Sequence, residues 1–310
     1  MAEEIRPEAK DTGKRLDAWL SECYPDVSRA AVRTLLVNGG VRASDGHRCS
    51  KGDRVRPDLL YTLRQKPGDT ELVANAGLLL DIVYEDDRFI VLSKPAGMNC
   101  LPNRANETDT LANALLARHP ELRGIGDGPL TCGILHRIDG DTSGMVLAAR
   151  RQSDYDALRA AFSARTVEKH YMALVSGDLR HAGHLEHYLA HNPRCPGRMI
   201  DASQWKDAKR PMQAITDYRP IRHLLVDGTP CTLLDVTILT GVTHQIRAQL
   251  SFAGHPIVGD RRYGGLQVKG FPRHFLHSLS AAFTDPVTGV PRHFEAPLTN
   301  DLADFLKHAR

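Results

Sequence analysis

The 310-residue sequence has no uninterrupted apolar run near the roughly 18 residues that a membrane-spanning helix requires. Its first residues, MAEEIRPEAKDTG, also lack the apolar stretch of a secretory signal peptide. These two absences predict a cytoplasmic protein that does not insert into a membrane. Apolar residues still make up 42% of the chain, enough for a sizeable core in one large domain or in a large and a small one.

Cysteines are few and scattered, with six in the whole chain. The nearest two, Cys23 and Cys49, lie much farther apart than the roughly two to four residues that separate paired zinc ligands. A dense disulfide framework is not indicated in a chain of this length. We therefore expect reduced thiols and no zinc site built on cysteine pairs.

Net charge is also small, at +3, but it is unevenly distributed. Residues 14–57 contain nine lysines and arginines against five acids, so this segment alone carries +4 and the remainder carries −1. A basic segment of this kind is either an ordinary solvated surface or a site for an anionic partner.

The basic segment shows the pattern of two short helices followed by strands. The first helix is predicted within residues 14–24, and the second follows Ser28 as its N-cap and ends at the glycine pair of VNGG. The stretch VRASDGHRC then predicts a hairpin that turns at Asp45-Gly46, and KGDRVRP predicts a further short strand.

Three segments of this region, KRLDAWL, SRAAVRTLLVNGGV and KGDRV, follow the pattern of the alpha-L RNA-binding motif, which this part of the chain resembles. The resemblance implies a small α+β domain that binds RNA, with a plain solvated surface as the alternative. The stretch ASDGHRCSKGD is abbreviated relative to the turn and strand that are usual in that family.

Residues after Pro57 show only a weak pattern, and RQKPGDTEL is typical of a turn and connector. We place the domain boundary there. The prediction is a flexible tail over 1–13, the small RNA-binding domain over 14–64, a linker over 65–78 and a large second domain over 79–310.

The large domain is predicted to be α+β. Short apolar strands recur with glycine and proline between them, whereas helical patterns occur at 108–118, 153–165, 244–252 and 301–309. This balance favours a mixed, mainly antiparallel sheet with flanking helices. The predicted strands are LLLDIVYED, RFIVLSKP, MVLAAR, KHYMALVSG, CTLLDVTIL and HPIVGD.

A polar cluster, HRIDGDTSG at residues 136–144, separates an apolar strand start from the apolar run MVLAA. Polar side chains between two buried strands lie at a sheet edge, where catalytic groups are common. Asp139 also precedes a glycine, and that pairing is the usual signature of a solvated turn. Taken alone, the nine residues favour the turn over a catalyst.

The same nine residues match the signature of the RluA-type pseudouridine synthases, and four further segments follow in that family's order. On this resemblance, over residues 81–298, the chain is identified as a member of the family. The four segments are YEDDRFIVLSKPAGM, VEKHYMALVSG, GVTHQIRAQLSFAGHPIVGDRRYG and HFLHSLSAAFTDPVTG.

The resemblance implies isomerisation of uridine to pseudouridine within RNA, without cofactor or metal. It makes Asp139 the catalytic residue. An ionised carboxylate beside the ribose can either attack as a nucleophile or take a ribose proton, and both alternatives stay open.

Four further side chains receive binding roles from the resemblance. Arg247, in HQIR, would supply the counter-charge to the catalytic carboxylate, and Tyr171 would pack on the target uracil. Arg137 would fill the space that the flipped base leaves or hold phosphate, and Leu276 would line the site. The alternatives are a surface residue for Arg247, a core residue for Tyr171, and a salt bridge of Arg137 to Asp141.

Three residues are assigned to shaping the site. His136 is interpreted as a hydrogen-bonded turn residue in preference to a general base, and Thr142 and Gly144 as residues that give the turn its geometry. The chain departs from the family's usual pattern at Val242, where an arginine is common, and at Leu101, where many relatives carry a histidine.

Four histidines in HAGHLEHYLAHNP are spaced by three, three and four residues, which on a helix would form one metal-binding face. Gly183 interrupts that helix, and the alternation of Leu185, His187 and Leu189 is typical of a strand. No cysteine or carboxylate completes a zinc motif. We therefore predict no metal site here and keep metal binding as the lesser alternative.

Together the patterns predict a monomeric RNA pseudouridine synthase. The N-terminal motif favours large-subunit ribosomal RNA as the substrate, with tRNA as the alternative, and the motifs do not identify the target uridine. The rival hypothesis is a non-catalytic RNA-binding or ribosome-assembly protein that retains the fold. The joint presence of Asp139, Arg247 and Tyr171 argues against that rival, because a binding protein has no need of a carboxylate near phosphate.

Overall fold

The computed structural model describes residues 3–25, 27, 29–37, 39–64, 71–103, 107–205 and 208–309. Its contacts divide the chain into two compact units, Met1–Val73 with Pro102–Thr108, and Ala74–Leu101 with Asp109–Arg310. Ser28, the predicted N-cap, and residues 65–70 of the predicted linker lie outside the described residues. Every helix in the described part of the chain is too short or too polar to span a bilayer.

The smaller unit packs two helices on a three-stranded antiparallel sheet of order β1-β3-β2. Leu16 and Leu20, four residues apart on the first helix, and Val32 on the second are fully buried, which gives the unit a core of its own. The elements are β1 (Glu3–Ile5), α1 (Leu16–Cys23), α2 (Arg29–Val37), β2 (Val41–Ala43) and β3 (Tyr61–Leu63).

The hairpin predicted to turn at Asp45-Gly46 is present but short. Around one bridge between Arg42 and Arg48, the Ala43 N–H donates to the His47 carbonyl at 3.0 Å and the Cys49 N–H donates to the Val41 carbonyl at 3.1 Å. Residues 44–48 are exposed and carry no apolar alternation, so nothing fixes a longer register there. The further strand predicted for KGDRVRP is reduced to a single bridge to Arg15. Strand β2 also pairs with β3, where buried side chains alternate on both strands.

The larger unit is built on a ten-stranded sheet of order β4-β5-β6-β12-β7-β11-β10-β8-β9, with β13 paired to β12. All pairings between its strands are antiparallel except the one between β6 and β12. The predicted mixed, mainly antiparallel α+β architecture is confirmed. The strands are β4 (Ile82–Glu85), β5 (Phe89–Lys94), β6 (Ser143–Ala149), β7 (Glu168–Ser176), β8 (Gly183–His191), β9 (Met199–Asp201), β10 (Met212–Val226), β11 (Thr229–Ile238), β12 (Leu276–Thr284) and β13 (Pro291–Glu295).

Four α-helices flank this sheet in the described residues, and each lies within a helical pattern of the sequence or one residue beyond it. They are α3 (Leu111–Arg118), α4 (Gln152–Ser163), α5 (Gln245–Phe252) and α6 (Asn300–His308). The strand predicted for HPIVGD is wrong, since the segment makes one bridge, from Ile257 to Val175. Pro256 cannot donate to a ladder, and Gly259 turns the chain with φ of 80°.

Two helices pack on the sheet where the functional residues emerge. Strand β6 is buried along its whole length, and Leu147 on it packs with Tyr155 and Leu158 of α4. Strand β7 places Leu174 in the cluster that holds Ile246 of α5. The start of β6 and the start of α5 are thereby anchored in apolar cores.

A buried ion cluster joins three elements of the larger unit. Arg88, directly before β5, donates from Nε and Nη2 to Asp154 Oδ1 at 2.9 and 2.6 Å. It also donates from Nη2 to Asp285 Oδ1 at 3.1 Å and from Nη1 to Asp285 Oδ2. One guanidinium thus links the sheet, α4 and the end of β12.

Candidate active site

Asp139 lies in the polar loop that leads into β6, with its side chain 24% exposed. Its Oδ2 accepts a hydrogen bond at 2.8 Å from Nη1 of Arg247, which lies on α5, 108 residues farther along the chain. Arg247 is buried, so the alternative that it is a surface residue is wrong. The structure brings together the carboxylate and the guanidinium that the resemblance pairs.

A second carboxylate holds Arg247 in place. Asp260 Oδ2 accepts from Nε at 2.6 Å, and Oδ1 accepts from Nη2 at 3.1 Å. The backbone N–H groups of Arg262 and Tyr263 donate to the same Oδ1, at 3.0 and 3.2 Å. Burial opposes ionisation of Asp260, but the Arg247 guanidinium and the Tyr263 amide lower its pKa. Burial likewise disfavours the charged Arg247, and the two carboxylates outweigh it and raise its pKa.

His244 lies beside the same carboxylate. It precedes α5 with a left-handed backbone, φ 53°, and its Nε2 is 3.9 Å from Asp139 Oδ2. Its Nδ1 is 3.1 Å from the Tyr263 hydroxyl. Burial lowers the pKa of His244, which favours the neutral ring.

Lys94, at the end of β5, braces the loop that carries Asp139. Its fully buried ammonium donates to the carbonyls of Pro95, Met98 and Gly140 at 2.7 to 2.8 Å. Burial lowers the pKa of Lys94 to about 8. One ammonium group therefore ties the segment KPAG to the residue after Asp139.

The polar loop is fixed from its other end as well. Thr142 Oγ1 is 2.8 Å from Nε2 of His274. Gly144 has φ of 111°, and a Cβ on it would lie 2.1 Å from the carbonyl oxygen of Ser278. Arg273 donates to the carbonyl of Asp141 at 3.2 Å. Both predicted shaping residues, Thr142 and Gly144, thus sit where the loop packs on the β12 region.

Tyr171 and Leu276 lie on the paired strands β7 and β12. Tyr171 is 6% exposed and is opposite Ser278, and Leu276 is 4% exposed and opposite Ala173. Burial raises the pKa of the Tyr171 phenol, and the charge of Asp139 raises it further. Both residues are part of the apolar core, and the phenol also lies within the field of Asp139.

His136 and Arg137, three and two residues before Asp139, differ in their surroundings. Arg137 is exposed and forms no salt bridge to Asp141 in the described part of the chain. The His136 ring stacks on Phe162 at 5.4 Å, and its Nε2 accepts the backbone N–H of Leu147 at 3.1 Å. Burial lowers the pKa of His136 to about 3, so the ring is neutral near pH 7.

The histidine-rich segment forms strand β8 instead of a helix. His184 Nδ1 is 2.7 Å from Asp217, and Nε2 of Gln249 lies 3.1 Å from His187 Nδ1. Residues three apart on a strand face opposite sides, so these two histidines do not share a face. No group of three or more metal-ligating side chains occurs among the described residues.

Three residues of the site were not singled out from the sequence: His244, Asp260 and Tyr263. All three fall within the segment GVTHQIRAQLSFAGHPIVGDRRYG. The spacing in GDRRYG carries a usable signal, because an aspartate followed by a polar turn can accept the N–H groups of the next residues, as Asp260 does.

Comparison with known proteins decides the family. Residues 88–252 match the family model described as RNA pseudouridylate synthase. The chain belongs to the RNA pseudouridylate synthase family. The predicted family and its reaction class, isomerisation of uridine in RNA, are thereby confirmed.

Other members of the RNA pseudouridylate synthase family align along nearly the whole chain. The ribosomal large subunit pseudouridine synthase D of Xylella fastidiosa is 32% identical over 96% of this chain and 89% of its own length. An uncharacterised RNA pseudouridine synthase of Chloroflexus aurantiacus is 39% identical over 96% and 90%. The structure of human RNA pseudouridylate synthase domain containing 1 superposes with a TM-score of 0.55 at 25% identity, over 79% of this chain and 98% of that one.

Proposed function

We propose that this RNA pseudouridine synthase modifies uridine in large-subunit ribosomal RNA, with Asp139 as the catalytic residue. The observation that carries the catalytic role is the 2.8 Å contact between the carboxylate of Asp139 and the buried guanidinium of Arg247. We propose large-subunit ribosomal RNA as the substrate because the relative from Xylella fastidiosa is named for the ribosomal large subunit.

The reaction conserves every atom of the base except for one proton exchange. The bond from N1 to C1′ breaks, the base turns, C5 bonds to C1′, and the C5 proton leaves while N1 is protonated. Such a rearrangement requires an ionised carboxylate at the ribose and no redox partner. Arg247 supports the ionised state, because an adjacent cation offsets the cost of shutting a carboxylate away from water.

Two other residues receive roles in this proposal. Tyr171 is 6% exposed, and we assign the exposed part of its ring to packing against the uracil. Arg137 is exposed beside the catalytic residue, and a cation there can hold phosphate or fill the space left by a base that flips out of its stack. Leu276, His136, Thr142 and Gly144 shape the site around them.

We also propose that the smaller unit is the RNA-binding domain. Among the described residues Arg42, Arg48, Lys51 and Arg54 are exposed and form no ion pair with a carboxylate. Arg42 and Arg48 even face each other across a bridge, an arrangement that costs stability unless a polyanion covers it.

The assembly and location belong to the same proposal. We expect a monomer in the cytoplasm. Light scattering at micromolar concentration, with and without RNA, tests the monomer, and fractionation of cells that produce the protein tests the location.

The decisive experiment combines pseudouridine mapping with a variant. Cells with the gene should carry a pseudouridine in large-subunit ribosomal RNA that cells without it lack, and Asp139→Asn should not restore it. The same variant should bind the RNA transcript with an affinity near that of the wild type. A missing pseudouridine in tRNA instead would redirect the substrate, and full activity of Asp139→Asn would remove Asp139 from catalysis.

A further inference from the structure

A buried tyrosine hydroxyl lies between a backbone amide and the histidine next to Asp139. Tyr263 is 2% exposed, and its oxygen accepts the N–H of Met199 at 2.8 Å. The same oxygen is 3.1 Å from Nδ1 of His244. A backbone amide can only donate, so the hydroxyl keeps its own proton to give, and His244 Nδ1 is the acceptor in reach.

This hydrogen bond determines where His244 carries its proton. A neutral imidazole that accepts at Nδ1 is protonated at Nε2. Burial keeps the ring neutral, and the charges of Arg247 and Arg262 act in the same direction, whereas Asp139 and Asp260 act against them. The Nε2–H group is thus the one on the side of Asp139, 3.9 Å from Oδ2.

The two donors beside Asp139, Arg247 and His244, both lie nearest to the same carboxylate oxygen. Oδ2 accepts from Arg247 Nη1 and is the oxygen that lies nearest to His244 Nε2. The distance of 3.9 Å exceeds a hydrogen bond, and contacts of this kind commonly tighten only when substrate is bound. Both contacts are made to Oδ2, so neither of them involves Oδ1.

The backbone of His244 supports a role for its side chain. The residue has φ of 53° at the start of α5, a left-handed conformation that is uncommon for residues other than glycine. Its side chain makes no capping hydrogen bond to the helix. The conformation therefore serves something other than the helix end, and it aims the ring between Tyr263 and Asp139.

We propose that Tyr263 fixes His244 as the Nε2–H tautomer and that His244 is a positioning residue which, with Arg247, holds Oδ2 of Asp139 so that Oδ1 meets the ribose. The inference rests on the catalytic role proposed for Asp139. It adds a chain of contacts, here called the tautomer relay, that runs from Met199 N–H on β9 through the Tyr263 hydroxyl and the His244 ring to the carboxylate of Asp139.

Two substitutions at one position separate this role from a backbone role. The amide nitrogen of glutamine can replace Nε2, whereas that of asparagine replaces Nδ1, and asparagine tolerates the left-handed conformation better. We expect His244→Gln to keep kcat within about 5-fold and His244→Asn to lose about 10- to 100-fold with little change in KM, the range for a hydrogen bond to a charged group. Equal or better activity of the asparagine variant would overturn the proposal.

The tautomer can be read without RNA and without activity. Nitrogen-15 NMR of the imidazoles in the full chain, with the His244 signals assigned by their loss in His244→Gln, should show protonated Nε2 and bare Nδ1. Tyr263→Phe keeps the ring beside Arg247 but should move the proton to Nδ1 or to a mixture, and Tyr155→Phe in the α4 core should leave it unchanged. A wild-type His244 protonated at Nδ1 would refute the relay.

A double variant at His244 and Tyr263 provides the last test. Once glutamine replaces His244, the hydroxyl of Tyr263 has no tautomer to fix, so adding Tyr263→Phe should change kcat by less than about 2-fold. If the kcat losses of the two single variants instead multiply in the double variant, the two residues act separately. The NMR result stands even if Asp139→Asn proves active, so failure of the relay and failure of the proposed function are distinguishable.

Discussion

Asp260 accepts two hydrogen bonds from Arg247, one to each carboxylate oxygen, while the third guanidinium nitrogen is left to Asp139. The direction in which Arg247 meets the carboxylate of Asp139 is thus set by a residue that lies 13 positions away in sequence. Asp260 is itself fixed by two backbone amides, so the arrangement is rigid before any substrate arrives.

Asp260→Asn should therefore lower kcat by about 10- to 100-fold, because a neutral amide cannot accept both N–H groups and a hydrogen bond to a charged group contributes about 1.5–3 kcal/mol. Single-turnover pseudouridine formation measures it, with circular dichroism to verify folding. Asp217→Asn, which removes an exposed partner of His184 on β8, is the matched control and should leave kcat unchanged. Wild-type kcat in the Asp260 variant would mean that Arg247 needs no such support.

Gly144→Ala should destabilise the larger unit by more than about 3 kcal/mol, because the left-handed backbone and a Cβ 2.1 Å from the Ser278 carbonyl both oppose the side chain. Gly289→Ala has a similar positive φ but open space around the added Cβ, so about 1 kcal/mol is expected. Urea unfolding of both variants measures the difference. Equal losses of unfolding free energy in the two variants would show that the backbone at the β6–β12 contact adjusts to the added methyl group at little cost.

Arg88→Met should cost about 3–5 kcal/mol at pH 7, since it leaves the carboxylates of Asp154 and Asp285 buried without their cation. Arg151→Met, which breaks an exposed pair with Asp87, should cost less than about 1 kcal/mol. Chemical unfolding of the two variants gives the comparison. Similar small losses in both would contradict the role assigned to the buried cluster.

The same cluster predicts a pH dependence. Burial opposes ionisation of Asp285, but the hydrogen bonds from Arg88 outweigh it and lower the pKa to about 2. The pKa of an aspartate in the unfolded chain is about 3.9. The stabilisation from ionised Asp285 is therefore complete above that pH, and it is lost as the pH falls through about 2. Unfolding of the wild type between pH 5 and 2 should show this loss, and Arg88→Met should show less of it.

Arg42→Gln combined with Arg48→Gln should weaken RNA binding and reduce the slope of log K against log salt by about 2, one for each phosphate contact removed. Arg56→Gln is the control in the same unit, because Arg56 already pairs with Asp45 and Asp58. Filter binding from low to moderate salt gives both slopes. An unchanged slope in the double variant would place RNA elsewhere on the molecule.

The secondary structure was predictable wherever local pattern and tertiary environment agree. All four helices of the larger unit follow the apolar spacing of the sequence. Strand β12 was missed because small polar residues such as Ser278 and Ser280 are buried on it, which removes the apolar signal. Strand β10 was missed because it is largely exposed and is interrupted at Pro220 by a register shift.

The site was predictable only in part. Spacing could not show that Asp139 and Arg247 touch, and the resemblance alone paired them before the structure placed them 2.8 Å apart. His244 and Tyr263 escaped notice because their roles depend on contacts between distant segments, such as the hydrogen bond from Met199 N–H to the Tyr263 hydroxyl, and such contacts leave little trace in residue type or spacing. The aspartate turn in GDRRYG was a readable signal for Asp260, but its bonds to Arg247 were not.

The one parallel junction of the sheet has a consequence for how the enzyme is assembled. Among the described residues, the backbone of strands β4 to β6 pairs with the remaining strands where Ser143 and Gly144 lie opposite His277 and Ser278, and nowhere else. Asp139 belongs to the first block, whereas Tyr171 and Arg247 belong to the second. Closing that junction spans more than a hundred residues of chain, so it is a slow, non-local step. With the roles proposed above, neither block holds the complete site, so activity on refolding should appear no earlier than the pairing of β6 with β12.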